Sequence, residues 1–159
     1  YVETPGKRET LHFEADINAK VEDVYRIMLD EANWREWTAE FNPSSHFKGS
    51  WEKGSKILFL GTDSEGKVGG MASKIKENIP NKYVSIEHLG AIRGDIEITS
   101  DIETDDWSGA MENYTFTDKG GHTVLSVDLD SNEEFIAYFN TTWPRALNKL
   151  KAICERKSD

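Results

Sequence analysis

The sequence predicts an α+β fold: a curved antiparallel sheet of six to seven strands closing on one long C-terminal helix, with two short helices after the first strand. Three observations carry this. The stretch from Ser131 to Arg156 places Phe135, Phe139, Trp143, Leu147 and Leu150 at helical steps of three and four, a stripe that Ala146, Ile153 and Cys154 widen. Residues 46–129 alternate in short runs broken by turn residues, the pattern of an antiparallel meander. A helix with so wide an apolar face needs an apolar surface to lie on, and consecutive strands wrap it only if the sheet curls. Curling grips the helix at its ends and leaves room for a hollow in the middle.

The elements follow in order. Residues 1–8, with Pro5-Gly6, read as a flexible N-terminus, and residues 9–157 as one domain. From Thr10 to Ile17, Leu11, Phe13, Ala15 and Ile17 share one face against His12, Glu14 and Asp16, which is a half-buried strand. Asn18 is placed to cap a short helix carrying Val21, Val24, Tyr25 and Met28. Asp30 starts a second helical segment with Trp34 and Trp37, and Asn42-Pro43-Ser44-Ser45 breaks it. Strands are expected at 47–51, 56–61, 69–79 and 83–89, then a break from Gly90 to Gly94 and a short strand at 96–102. Strands at 110–117 and 123–129 form a hairpin across Asp118-Lys119-Gly120-Gly121. Ser131 and Glu134 have the spacing of a capping box for the long helix, and Pro144 is expected to bend or split it.

Composition narrows the function. A chain of 159 residues buries roughly 70% of its unfolded surface, enough for a sizeable core. A net charge of −10 argues against nucleic acid or an anionic membrane surface as partner. No apolar run approaches the ~20 residues of a membrane span. The single cysteine fits a reducing, cytoplasmic setting, and on the apolar stripe it reads as a buried, inert thiol. No signal-peptide pattern is visible, and a segment before Tyr1 is left open. No phosphate loop, zinc spacing or nucleophile elbow occurs, so neither cofactor nor metal is expected. Asp101, Glu103, Asp105 and Glu112 fit a calcium-loop register in part, but Asp106 stands where its glycine belongs, and a solvated acidic loop is the better reading.

Two polar residues share parity with apolar neighbours. Glu112 alternates with Tyr114 and Phe116, and His88 with Ile86 and Val84. Either they sit in a cavity, where they would anchor a ligand or act as an acid–base pair, or Glu112 is wet at a strand end or paired with a nearby lysine and His88 is a hydrogen-bonded core residue. Aromatic and methionine side chains at Tyr25, Trp34, Trp37, Trp51, Met71, Trp107, Met111 and Tyr114 suit an adaptable pocket or an ordinary core equally, with Tyr114 and Trp143 the better candidates for lining.

Taken together, Ala19-x-x-x-x-Val24-Tyr25, the Asp30 to Trp37 segment, Trp51-x-x-Gly54, the strand ending at Pro80, Glu112-x-Tyr114 and Trp143-x-x-Ala146-Leu147-x-x-Leu150-Lys151 resemble the START/SRPBCC superfamily. Its helix-grip fold is shared with pollen allergens and polyketide cyclases. The nearest resemblance within it is to activators of the heat-shock protein 90 ATPase. These are packing motifs, so they specify fold better than function. The resemblance implies a small apolar or amphipathic ligand between sheet and helix. Its candidate lining is Tyr25, Trp37, Phe59, Met71 and Ile86, together with His88, Glu112, Tyr114, Phe139 and Trp143. A chaperone-interacting module, with chaperone or homo-oligomer contacts, is the second expectation. A cyclase- or aromatase-like enzyme using Glu112 and His88 is the third. Catalysis is the less favoured reading.

Overall fold

A computed structural model describes residues 8–94, 96–98 and 109–157. Its element order is β1 (Arg8–Ile17), α1 (Val21–Leu29), α2 (Glu31–Thr38), β2 (His46–Gly49), β3 (Lys56–Thr62), β4 (Val68–Ile79), β5 (Tyr83–Arg93), β6 (Ile96–Ile98), β7 (Met111–Asp118), β8 (Thr123–Asn132), a single 3-10 turn (Glu133–Phe135) and α3 (Ile136–Lys157). The strands run β1-β8-β7-β5-β4-β3-β2, with short β6 set against the far end of β5. Every pairing is antiparallel. The curved sheet, the long terminal helix and the two short helices after β1 are the α+β helix-grip arrangement expected.

Burial decides why the sheet closes on α3. Leu11, Phe13 and Ala15 lie opposite Leu129, Val127 and Leu125, so β1 and β8 present one apolar face. Trp143, Ala146, Leu147, Leu150, Ile153 and Cys154 on α3 are buried against it. Trp34 and Trp37 of α2 complete an aromatic cluster: their rings are 4.8 Å apart, Trp34 lies 5.1 Å from Trp51, and Trp37 lies 6.1 Å from Trp143. Each such ring removes a large apolar area from water and gains from edge and tilted contact.

Several local expectations are corrected. Ser131 does not cap the long helix: β8 extends to Asn132, Ser131 pairs with Glu9, and its hydroxyl donates to the Asn132 carbonyl. Cross-strand pairing outweighs the cap. Asn18 does not cap α1; Lys20 holds that position without a side-chain bond, and the Asn18 N–H donates to Glu155 at 2.9 Å. Asp30 does cap α2, accepting from the Asn33 N–H at 3.4 Å. Pro144 sits inside an unsplit α3; with no N–H on the proline, only the Asn140 carbonyl loses its helical donor.

The break expected at Gly90 is absent. β5 runs on to Arg93, paired with β4 and β6. The β4–β5 pairing has two irregularities: Lys76 of β4 is extra between the Ile75–Ile86 and Glu77–Ser85 pairs, and near Gly90 there is a one-residue bulge at Leu89, between the Ser73–His88 and Ala72–Gly90 pairs. Beyond it the faces of β5 exchange, so Ala91 lies opposite inward-facing Met71, while Ile92 joins Leu60 and Ala72 in a small cluster on the other face. Gly70 has φ +151°, and a Cβ there would meet the Phe59 carbonyl oxygen at 1.8 Å, so no side chain fits. Arg8 opens β1 instead of belonging to the loose terminus. The acidic loop 101–106 and Trp107 lie outside the described residues.

Two consequences are measurable. Cys154 is fully buried, and burial pushes its thiol up to about 12. In the folded protein it should not react with Ellman's reagent at pH 8, and should react stoichiometrically in denaturant. His12 is held above its ordinary value by its hydrogen bonds to Glu14 and Asp128, at 2.9 and 2.6 Å. A raised folded-state value stabilises most below the unfolded value near 6.5 and loses that contribution as pH rises through the folded one. Between pH 6 and 9 this group alone should make Tm fall with pH, and His12→Gln should flatten that slope; the side chain is half exposed, so the effect is small.

Candidate functional site

The inward face of β4, β5 and β7 carries four polar side chains in one line. Ser73 and His88 are direct cross-strand partners. Glu112 lies opposite Ile86, one step along from His88 on the same face. Tyr114 follows two residues after Glu112 and is fully buried.

The hydrogen bonds run through all four. Ser73 Oγ is 2.7 Å from His88 Nδ1. His88 Nε2 is 3.2 Å from Glu112 Oε1. The Tyr114 hydroxyl donates to Glu112 Oε2. One tautomer gives every donor in this chain an acceptor: Ser73 O–H donates to Nδ1, and the proton on Nε2 is given to Glu112. Burial, reinforced by the charge of Glu112, raises Tyr114 well above the ordinary tyrosine value, so its proton stays in place as a donor. Ser73 is fully buried, which leaves it to orient His88 and keeps it from reaching a substrate as a nucleophile.

Two recesses open on this chain, between the sheet and the first half of α3. The larger, of about 360 Å3, is lined by Met71, His88, Met111, Glu112 and Leu129 from the sheet, and by Phe135, Tyr138 and Phe139 from the helical side. The smaller, of about 260 Å3, lies among Trp37, Phe41, Phe59, Tyr114, Phe139 and Trp143. Met71, Glu112, Leu129, Tyr138 and Phe139 line both. The Tyr138 hydroxyl donates to the Phe41 carbonyl at 3.2 Å and so ties α3 to the end of α2 across the smaller recess. The walls are mainly apolar; the polar groups are the His88–Glu112–Tyr114 chain, a rim at Asp130 to Asn132 on the larger recess, and Thr38 and Ser45 on the smaller. Such an arrangement suits an amphipathic molecule, with one polar group fixed and the rest in apolar contact.

Eight of the ten residues expected to contact a ligand line one recess or the other: Trp37, Phe59, Met71, His88, Glu112, Tyr114, Phe139 and Trp143. Tyr25 and Ile86 lie elsewhere. Tyr25 stacks edge-on against Phe116 and donates to Asn78 Oδ1 at 2.7 Å. Ile86 is fully buried core. Ser73, Leu129, Tyr138 and Phe41 were not singled out from the sequence. Leu129 stands on the apolar face of its own strand, which was the available signal for it. Nothing local marks the other three, because their contacts cross between elements.

The antiparallel sheet closed on a long terminal helix defines a helix-grip protein. The chain belongs to the family described as Activator of Hsp90 ATPase homolog 1-like protein, which it matches over residues 18–155. Solved structures share the fold. The Aha1 dimer from Colwellia psychrerythraea is 24% identical, with TM-score 0.67 over 92% of this chain and 96% of that one. An AHSA1-like protein from Aeromonas hydrophila is 16% identical, with TM-score 0.67 over 93% of both chains. Protein MLL2253 from Mesorhizobium loti is 15% identical, with TM-score 0.70 over 95% of this chain and all of that one. No curated protein matches the sequence. Among the described residues, no helix is long and apolar enough to cross a membrane.

Proposed function

We propose that this protein is a binding module that holds a small apolar or amphipathic molecule between its sheet and its terminal helix. The observation that carries this reading is the pair of adjoining recesses, about 360 and 260 Å3, that share Met71, Glu112, Leu129, Tyr138 and Phe139. Their apolar walls converge on the hydrogen-bonded Glu112 carboxylate that lines both, a composition typical of a small-molecule site. Native mass spectrometry of the purified protein tests it. A retained small molecule, or saturable shifts of the Met71, Leu129 and Phe139 signals on titration with an apolar dye, is the expected result. Neither appearing across a panel of apolar and amphipathic compounds overturns it.

Family membership and one surface feature favour a second reading, a contact with the heat-shock protein 90 chaperone. Phe135 and Tyr138 are exposed aromatics beside the mouth of the larger recess, where a partner would cover them. A pull-down with the purified chaperone should then be weakened by Phe135→Ser together with Tyr138→Ser. The Colwellia relative is a dimer; light scattering of this chain would show whether self-association uses the same aromatics.

A further inference from the structure

We propose that the molecule held in the recess carries an amine: an amphipathic cation whose ammonium group is received by Glu112, with its apolar part lying against Met71, Leu129 and Phe139. This rests on the reading of the recesses as a ligand site and specifies the chemistry of that ligand.

The argument is one of hydrogen-bond and charge accounting. A carboxylate offers about four lone-pair positions, and acceptance is all it offers. The His88 Nε2–H and the Tyr114 O–H occupy one on each oxygen of Glu112. The positions that remain belong to a side chain lining both recesses, so they are available to a group entering either one. What they accept is a donor. A ligand carboxylate or phosphate would meet like charge, and a ketone or ether would bring a second acceptor to an acceptor.

Charge then separates a cationic donor from a neutral one. Among the described residues, no lysine or arginine lines either recess, while Glu112 and, at the rim, Asp130 both do. Asp130 lines only the larger recess, where Thr10 Oγ1 and the Met111 N–H donate to it at 2.9 and 3.0 Å, while Glu112 lines both recesses and is the carboxylate a group entering either one meets. Its side chain is only 16% exposed, so water compensates its charge weakly. An ammonium supplies a positive charge and up to three donors. The net charge of −10 favours the approach of cations from solution.

Octylamine, octanol and octanoate have the same apolar chain and differ in the head group. Their binding to the full chain at pH 7 can be compared by NMR titration, at concentrations below self-association. Octylamine should bind about tenfold or more tighter than octanol, and octanoate weakest of the three. In Glu112→Gln the octylamine preference should fall to about twofold or less while octanol binding persists. Dispersed amide spectra and an unchanged circular dichroism signal confirm that this variant is folded. Should Glu112→Gln not fold, the wild-type ranking and its loss in high salt decide the matter. Equal binding of all three, or octanoate leading, overturns the amine assignment and leaves the binding module standing. No binding of any of them overturns both.

Discussion

Trp37→Ala should lower the unfolding free energy by about 3–5 kcal/mol, the cost of emptying a fully buried aromatic site. For a chain of this length, that is a fall in Tm of about 10 °C or more. Trp37 is wholly inaccessible to water. It links the aromatic cluster of α2 to α3 through Trp143, and its indole N–H donates to the Met28 carbonyl at 3.3 Å at the end of α1. Removing it therefore opens a cavity and orphans a carbonyl where all three helices meet. Thermal unfolding followed by circular dichroism reads the effect. Phe135→Ser is the control: that ring is exposed, and its loss should change stability by less than about 0.5 kcal/mol.

Glu112→Ala should cost about 2–4 kcal/mol. Large values at partly accessible polar sites are unusual, and the reason here is specific. The carboxylate accepts from both His88 and Tyr114, and Tyr114 is fully buried with its proton held in place. Without Glu112 the tyrosine O–H has no acceptor, and an unmade buried hydrogen bond costs about 1–3 kcal/mol. The double variant Glu112→Ala with Tyr114→Phe tests this directly. If the orphaned hydroxyl is the cause, Tyr114→Phe destabilises the native protein but is neutral or stabilising in the Glu112→Ala background. Additive losses in urea denaturation would show that the two side chains act independently.

The same two residues show what the sequence could and could not disclose. Alternation is a local property, so the inward parity of Glu112 with Tyr114, and of His88 with Ile86, was legible along single strands. That both belong to one hydrogen-bonded chain depends on β5 lying beside β7 in a particular register. Ser73 joins them only because β4 pairs with β5 at His88, just before the Leu89 bulge. Nothing within a strand announces that offset. The helix start fails for a related reason. Ser131-x-x-Glu134 satisfies the spacing of a cap, yet Glu9, more than a hundred positions earlier, pairs with Ser131 and keeps it in the sheet. Ile86 and Glu112 were equally plausible as lining from parity alone; curvature of the sheet buries the first and leaves the second facing open space.

Xenon under pressure reports most directly on whether the space beneath the first half of α3 is open to an apolar guest. A crystal of the protein so treated should show xenon beside Met71, Leu129 and Phe139, because an apolar recess of this size takes the gas where a packed core does not. Xenon absent there, with Phe139 and Tyr138 folded down onto Leu129 to fill the space, would contradict the view of this protein as a container.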